Sequence, residues 1–197
     1  MQHILLLGLF ACTAHKPPVP VVNGTAIVDG TALAPAPVCV GVVEPTPAGF
    51  VESAAAPPAF AIGAPGTGAL CEGKVFTVEA PVRVYRAYSA SYETSKRAGP
   101  KGAYWSLQAP TGDATGFRTA YAVCPEWNDL DMLATCTVDL AATVVVGPGQ
   151  SAKCADGTVL PASAANQVLV VRAPADSPVP VGDCTLEPLT WGAAAAN

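Results

Sequence analysis

The chain has 197 residues, 51% of them apolar, and its 10 Lys and Arg against 15 Asp and Glu give a net charge of −5. That balance excludes a basic nucleic-acid surface and makes the acidity a matter of solubility, while the length suits one domain with appendages. The only two histidines, His3 and His15, sit near the start, so Ser-His-Asp hydrolysis, Cys-His proteolysis and His-ligated zinc chemistry are excluded from everything after them.

An apolar run from Ile4 to Ala11 stops at Cys12. It is too short to span a bilayer and fits the core of an export signal. Leu9-Phe10-Ala11-Cys12 resembles a bacterial lipobox, with two departures: Phe10, and a preceding segment without Lys or Arg. The resemblance implies lipidation at Cys12 and an exported bacterial lipoprotein, in the periplasm or at the cell surface, whose only hold on a membrane is the lipid. The alternative is a plain signal and a secreted chain. Setting Cys12 aside leaves Cys39, Cys71, Cys124, Cys136, Cys154 and Cys184. An even set in an exported chain reads as disulfides, with connectivity open. No Cys-x-x-Cys pair or Cys/His cluster stands at zinc spacing, so no metal is expected.

Half of the 20 prolines fall between Pro17 and Pro65, in a stretch also rich in Ala, Gly and Val. Repeated proline opposes regular helix and central strands. Residues 13–70 therefore read as an extended tether, the rival being a small β-module pinned by Cys39. Gly63 to Gly68 reads as a hinge, since no helix follows that would make it a dinucleotide fingerprint.

From Cys71 the pattern turns to strands. Val75 to Val78 and Val82 to Arg86 are rich in β-branched and aromatic residues. Ser89 to Gly102 is a polar loop, and Tyr104 to Leu107 a short strand. Asp113 is placed to cap a helix from Ala114 to Val123, with Phe117 and Tyr121 on one face. Pro125 to Asp129 reads as a solvated turn, so the nearby Glu126, Asp129 and Asp131 do not converge as a glycosidase pair would. Met132 to Leu140, Thr143 to Val146 and Gln167 to Val171 complete the strands, Gly147-Pro148-Gly149 is a turn, and residues 186–197 form a frayed tail.

Three patches in this region stand out: Arg83-Val84-Tyr85-Arg86, Tyr104-Trp105-Ser106 and Asn166-Gln167. An arginine on one strand, an aromatic-hydroxyl patch on a second and a Gln entering a third resemble the NAD-binding cleft of ADP-ribosyltransferase-like toxins, over roughly residues 72–173. The resemblance implies an α+β fold: a strand-rich split β-sheet core over 71–185 with few short helices, stapled by disulfides and preceded by the Pro/Ala-rich segment. It implies NAD as substrate rather than cofactor. Arg86 would grip the phosphates and nicotinamide ribose, Ser106 would bond the ribose or orient Gln167, and Gln167 would stand where the family has a catalytic glutamate. Tyr85, Tyr104 and Trp105 would line the substrate.

A glutamine bonds a ribose hydroxyl but neither accepts a proton nor offsets a cation. The departure therefore implies hydrolysis of NAD to ADP-ribose and nicotinamide rather than transfer to a protein, and a producing cell would need an immunity protein as partner. Taken singly, the same residues permit a second reading. Arg86 is then a sheet-edge charge and Trp105 a core residue, and the chain is a non-enzymatic, disulfide-bonded surface lipoprotein that binds a partner.

Overall fold

The computed structural model describes residues 39–43, 46–92 and 99–192. Cys12, the leader and residues 13–38 of the expected tether lie outside them, as does 193–197 of the expected tail. Among the described residues the fold is mostly β, with one α-helix, an antiparallel eight-stranded sheet and three disulfides. It is therefore a mostly-β α+β fold, strand-rich as the patterning implied.

The strands are β1 (Phe50–Glu52), β2 (Lys74–Val78), β3 (Val82–Tyr88), β4 (Tyr104–Ser106), β5 (Met132–Val138), β6 (Thr143–Gly149), β7 (Ala152–Lys153), β8 (Val159–Leu160), β9 (Ser163–Val170) and β10 (Val181–Pro188). The main sheet runs β1-β2-β6-β9-β4-β3-β5-β10, and β7 pairs β8 separately. Alternation sends one pleat of each strand inward. Val82, Val84 and Tyr88 of β3, Ala134, Cys136 and Val138 of β5, and Val168 and Val170 of β9 meet Phe50 and Val181, from the two edge strands, in one core. Strands at both ends can share that core only if the sheet curls round it. On the outer pleat, Val75, Val145 and Leu169 form a smaller cluster with Ala61 and Leu70. Covered on both pleats, β6 is buried at every position after Thr143, which accounts for its continuous apolar run.

Residues 39–43 and 46–70 are integral to this fold rather than a tether. Val43 and Phe50 lie in the main core, β1 pairs β2, and Cys39 is bridged to Cys71. Proline excludes a helix there, but it leaves the short edge strand and the covering loop that this segment forms. The expected hinge at 63–68 is a fixed turn: Gly68 N–H donates to the Ser151 carbonyl and Gly66 N–H to Ser151 Oγ. Gly147-Pro148-Gly149 ends β6 rather than turning. A side chain at Gly147 would collide with the Glu72 carbonyl, so glycine here serves close backbone approach. The expected frayed tail also departs. Residues up to Pro188 continue β10 against β5, and Trp191 Nε1 donates to the Leu130 carbonyl at 2.8 Å.

The helix α1 (Ala114–Tyr121) starts where the cap predicted it, with Asp113 Oδ1 accepting from Gly116 N–H at 2.8 Å. It ends at Ala122 in the left-handed region, φ 50°, whose N–H bonds the Arg118 carbonyl.

The bridges pair Cys39 with Cys71, Cys124 with Cys154 and Cys136 with Cys184. The last spans 48 residues and fastens edge strand β10 to β5. Replacing both Cys136 and Cys184 by Ser is expected to cost about 2–4 kcal/mol, read by denaturant unfolding without reductant. A loss near zero would mean that pairing alone holds β10.

Candidate functional site

The short strand β4 lies between β3 and β9, and its pairing sets the site. Tyr85 of β3 stands opposite Ser106, and Ser106 stands opposite Gln167 of β9. One row across three adjacent strands thus carries a phenol, a hydroxyl and a carboxamide on the outer pleat. Above it, α1 packs on β9 and brings Phe117 and Tyr121, while the 59–70 segment brings Thr67 and Ala69. Between them lies a hollow of about 380 Å³, to which Arg86, Tyr104, Trp127 and Asn128 also contribute.

The hydroxyl and the carboxamide of the floor have defined partners. The Ser106 hydroxyl lies 2.8 Å from the Gln108 carbonyl and 3.2 Å from that of Tyr85. Gln167 is 6% exposed, and its Nε2 donates to the Tyr121 carbonyl at 3.2 Å. Ser163 Oγ donates to the Ala120 carbonyl next to it. The last carbonyls of a helix have no partner within the helix, and two side chains of β9 supply donors to them here. Room for the Gln167 amide depends on Gly149, where a Cβ would stand 2.8 Å from Nε2.

The aromatic wall is continuous. Phe117 and Tyr121 have ring centroids 4.5 Å apart, and Trp191 lies tilted against Phe117 at 5.3 Å. Burial raises the Tyr121 phenol pKa, with the Ser106 hydroxyl pulling the other way, and burial alone raises that of Tyr104. Arg118 holds the far side of the hollow by donating to the Val123 and Asn128 carbonyls. Asn128 in turn donates to the Ala87 carbonyl.

Two of the six expected site residues sit one step out of this row. Strand alternation puts Arg86 and Trp105 on the inner pleat, with Val84 and Tyr88. The Trp105 ring belongs to the main core and is 3% exposed. The Arg86 guanidinium binds the turn before β4: Nε donates to the Gly99 carbonyl at 2.9 Å and Nη1 to that of Tyr104 at 2.8 Å. A side chain at Gly102 would collide with the same guanidinium. Burial first, and then repulsion from Arg172, lower the Arg86 pKa to about 10.

Tyr121, Phe117, Trp127 and Asn128 were not expected at the site. The one signal for them was the four-residue spacing of Phe117 and Tyr121, which reads equally as a core-facing stripe. The carboxylates near β5 serve the frame. Asp129 accepts from Ser89 Oγ, Asp131 from Ala90 N–H and Glu126 from Ala155 N–H. Cys124, Glu126 and Cys154 come together as possible metal donors, but the two sulfurs are bonded to each other. No family model, curated protein or solved structure matches the chain.

Two outcomes follow from this geometry. In Gln167→Glu, a carboxylate would face the Tyr121 carbonyl with no proton to donate, so its folded pKa should rise above the usual value near 4.3. The protonated form then fits and the ionised form does not. The variant's melting temperature should approach wild type near pH 4 and fall below it by several degrees as pH rises to 7; a constant gap would show that the bond to α1 is dispensable. In alkaline titration followed by tyrosinate absorbance, Tyr104 and Tyr121 should ionise late in the native protein and near pH 10 when unfolded. Their neutral forms stabilise the fold below that pH, a contribution lost as pH climbs through the raised native values. Tyr104→Phe and Tyr121→Phe should each remove one late component.

Proposed function

We propose that the protein binds NAD with its nicotinamide end in the aromatic hollow and hydrolyses the bond from nicotinamide to ribose, as the resemblance to ADP-ribosyltransferase-like toxins implies. The observation that carries the reading is the row Tyr85–Ser106–Gln167: hydroxyl and carboxamide, expected from separate strands, share one hollow. The arginine, hydroxyl and carboxamide strands also lie side by side, β3-β4-β9, within one continuous sheet.

The chemistry asks little of the side chains. The C1′–N bond breaks with its electron pair passing to the pyridinium nitrogen, so nicotinamide leaves neutral. Water adds to C1′ of the oxocarbenium-like ribose, and its proton goes to solvent. No general acid is needed for departure, and positioning supplies most of the rate. Gln167 Oε1 and Ser106 Oγ are the groups that hold the ribose hydroxyls, Tyr121 and Phe117 the ring. With no base at position 167, water rather than a protein side chain is the acceptor. Three disulfides fit an exported chain acting away from the reducing cytosol. A producing cell would be guarded by a partner that blocks the hollow.

A second reading is favoured by one specific observation. Ser106 Oγ and Gln167 Nε2 are already engaged by backbone carbonyls, and no carboxylate or imidazole lines the hollow among the described residues. On that reading the hollow holds a flat ring without reacting, in a non-enzymatic binding module.

Nicotinamide release from NAD by the oxidised protein separates the two. Turnover is expected, falling about 10- to 100-fold in Ser106→Ala and Gln167→Ala, the equivalent of one or two hydrogen bonds in the transition state. A folded protein that neither releases nicotinamide nor gains thermal stability from NAD would leave the binding module.

A further inference from the structure

We propose that Ser163, which lines no part of the hollow, is the positioning residue that sets its width, by seating α1 over the floor at a second point. The inference rests on the NAD reading only for the ring that the hollow would hold, and it extends the site to a residue outside the three patches.

The wall that α1 gives the hollow is held lightly by its own side chains. The helix has eight residues and none of them is buried; Phe117 and Tyr121 are half-buried. A helix of that length is marginal without tertiary contacts, so the place of its rings depends on how its end is fastened. Arg118 ties it forward, to the Val123 and Asn128 carbonyls. Two bonds come from the sheet, both from β9: Gln167 Nε2 to the Tyr121 carbonyl and Ser163 Oγ to the Ala120 carbonyl.

Four residues of regular strand would set those two donors about 13 Å apart. A bulge closes the gap. Against β6, Asn166 stands opposite Pro148 but Ser163 stands opposite Gly149, so Ala164 and Ala165 are extra residues on β9. Both side chains then reach one place. A Cβ on Gly149 would lie 2.8 Å from Gln167 Nε2, 3.3 Å from Ser163 Oγ and 3.9 Å from the Ala120 carbonyl oxygen. A single anchor would let so short a helix pivot about it. Anchors on two successive carbonyls fix its height and its turn, and with them the separation of Phe117 and Tyr121 from Ser106 and Gln167 on the floor. Ser163 therefore acts on a ligand only through α1.

The test uses the full-length oxidised chain and has one arm without ligand. In Ser163→Ala the amide protons of α1 should exchange about five- to tenfold faster, the equivalent of one hydrogen bond, while those of β3 and β5 keep their wild-type rates. Nicotinamide affinity should fall by a similar factor. Ser163→Thr keeps the hydroxyl and should retain both properties. Gly149→Ala, which crowds both donors, should lose more than Ser163→Ala on both counts. The inference is overturned if α1 exchanges in Ser163→Ala as it does in wild type, if nicotinamide affinity holds although α1 has loosened, or if Ser163→Thr behaves as Ser163→Ala. If wild type binds no nicotinamide, but α1 loosens in Ser163→Ala and not in Ser163→Thr, the seating of α1 by Ser163 stands and the NAD reading falls. Nicotinamide release from NAD that is indifferent to both Ser163 variants gives the reverse.

Discussion

The register of β4 is the constraint on which the site depends. This strand has three residues, yet it joins β3 to β9 and aligns Tyr85, Ser106 and Gln167 in one row. A slip of one residue would turn the Trp105 indole out into the hollow and Ser106 into the core. So short a strand cannot fix its register by backbone bonds alone. Two side chains of the inner pleat fix it: the Trp105 ring is locked into the main core, and the Arg86 guanidinium grips the Gly99 and Tyr104 carbonyls at the entrance to β4. Gly102 completes the grip by leaving the space a side chain would fill. Arg86 and Trp105 therefore act on the hollow chiefly by holding Ser106 in place.

Position 86 illustrates a limit of reading chemistry from strand patterns. An arginine in Val82-Arg83-Val84-Tyr85-Arg86 looks like a group displayed at a sheet edge. Its pleat, however, follows from the pairing of Tyr85 with Ser106, a contact between residues 21 apart that no local pattern reveals. The strands themselves were legible, because β-branched alternation marks β2, β3, β5 and β9, and the capping carboxylate of Asp113 marks the start of α1. What proline obscured was the role of residues 39–70 and of β10. Edge strands and covering loops accept proline, and their order comes from Cys39–Cys71, Cys136–Cys184 and pairing with neighbours distant in sequence. The spacing of Phe117 and Tyr121 gave the face of α1 but not what it faces, which depends on the bonds from Ser163 and Gln167 to the end of the helix.

Those bonds also bear on what a carboxamide at position 167 does. The Tyr121 carbonyl can only accept, so the amide must turn its NH2 toward the helix. Its oxygen is then the remaining acceptor, held on the same floor as the Ser106 hydroxyl by the helix above and by Gly149 beneath. An ionised glutamate at this position would offer two acceptors to a carbonyl that also accepts, and would loosen the wall it supports. One residue cannot both donate to the end of α1 and serve as a charged base. Glutamine at 167 secures the wall and forgoes the base, and any ligand in the hollow meets a rigid, neutral acceptor. On the proposed function, chemistry there would be restricted to reactions whose leaving group departs without a proton and whose acceptor is as available as water.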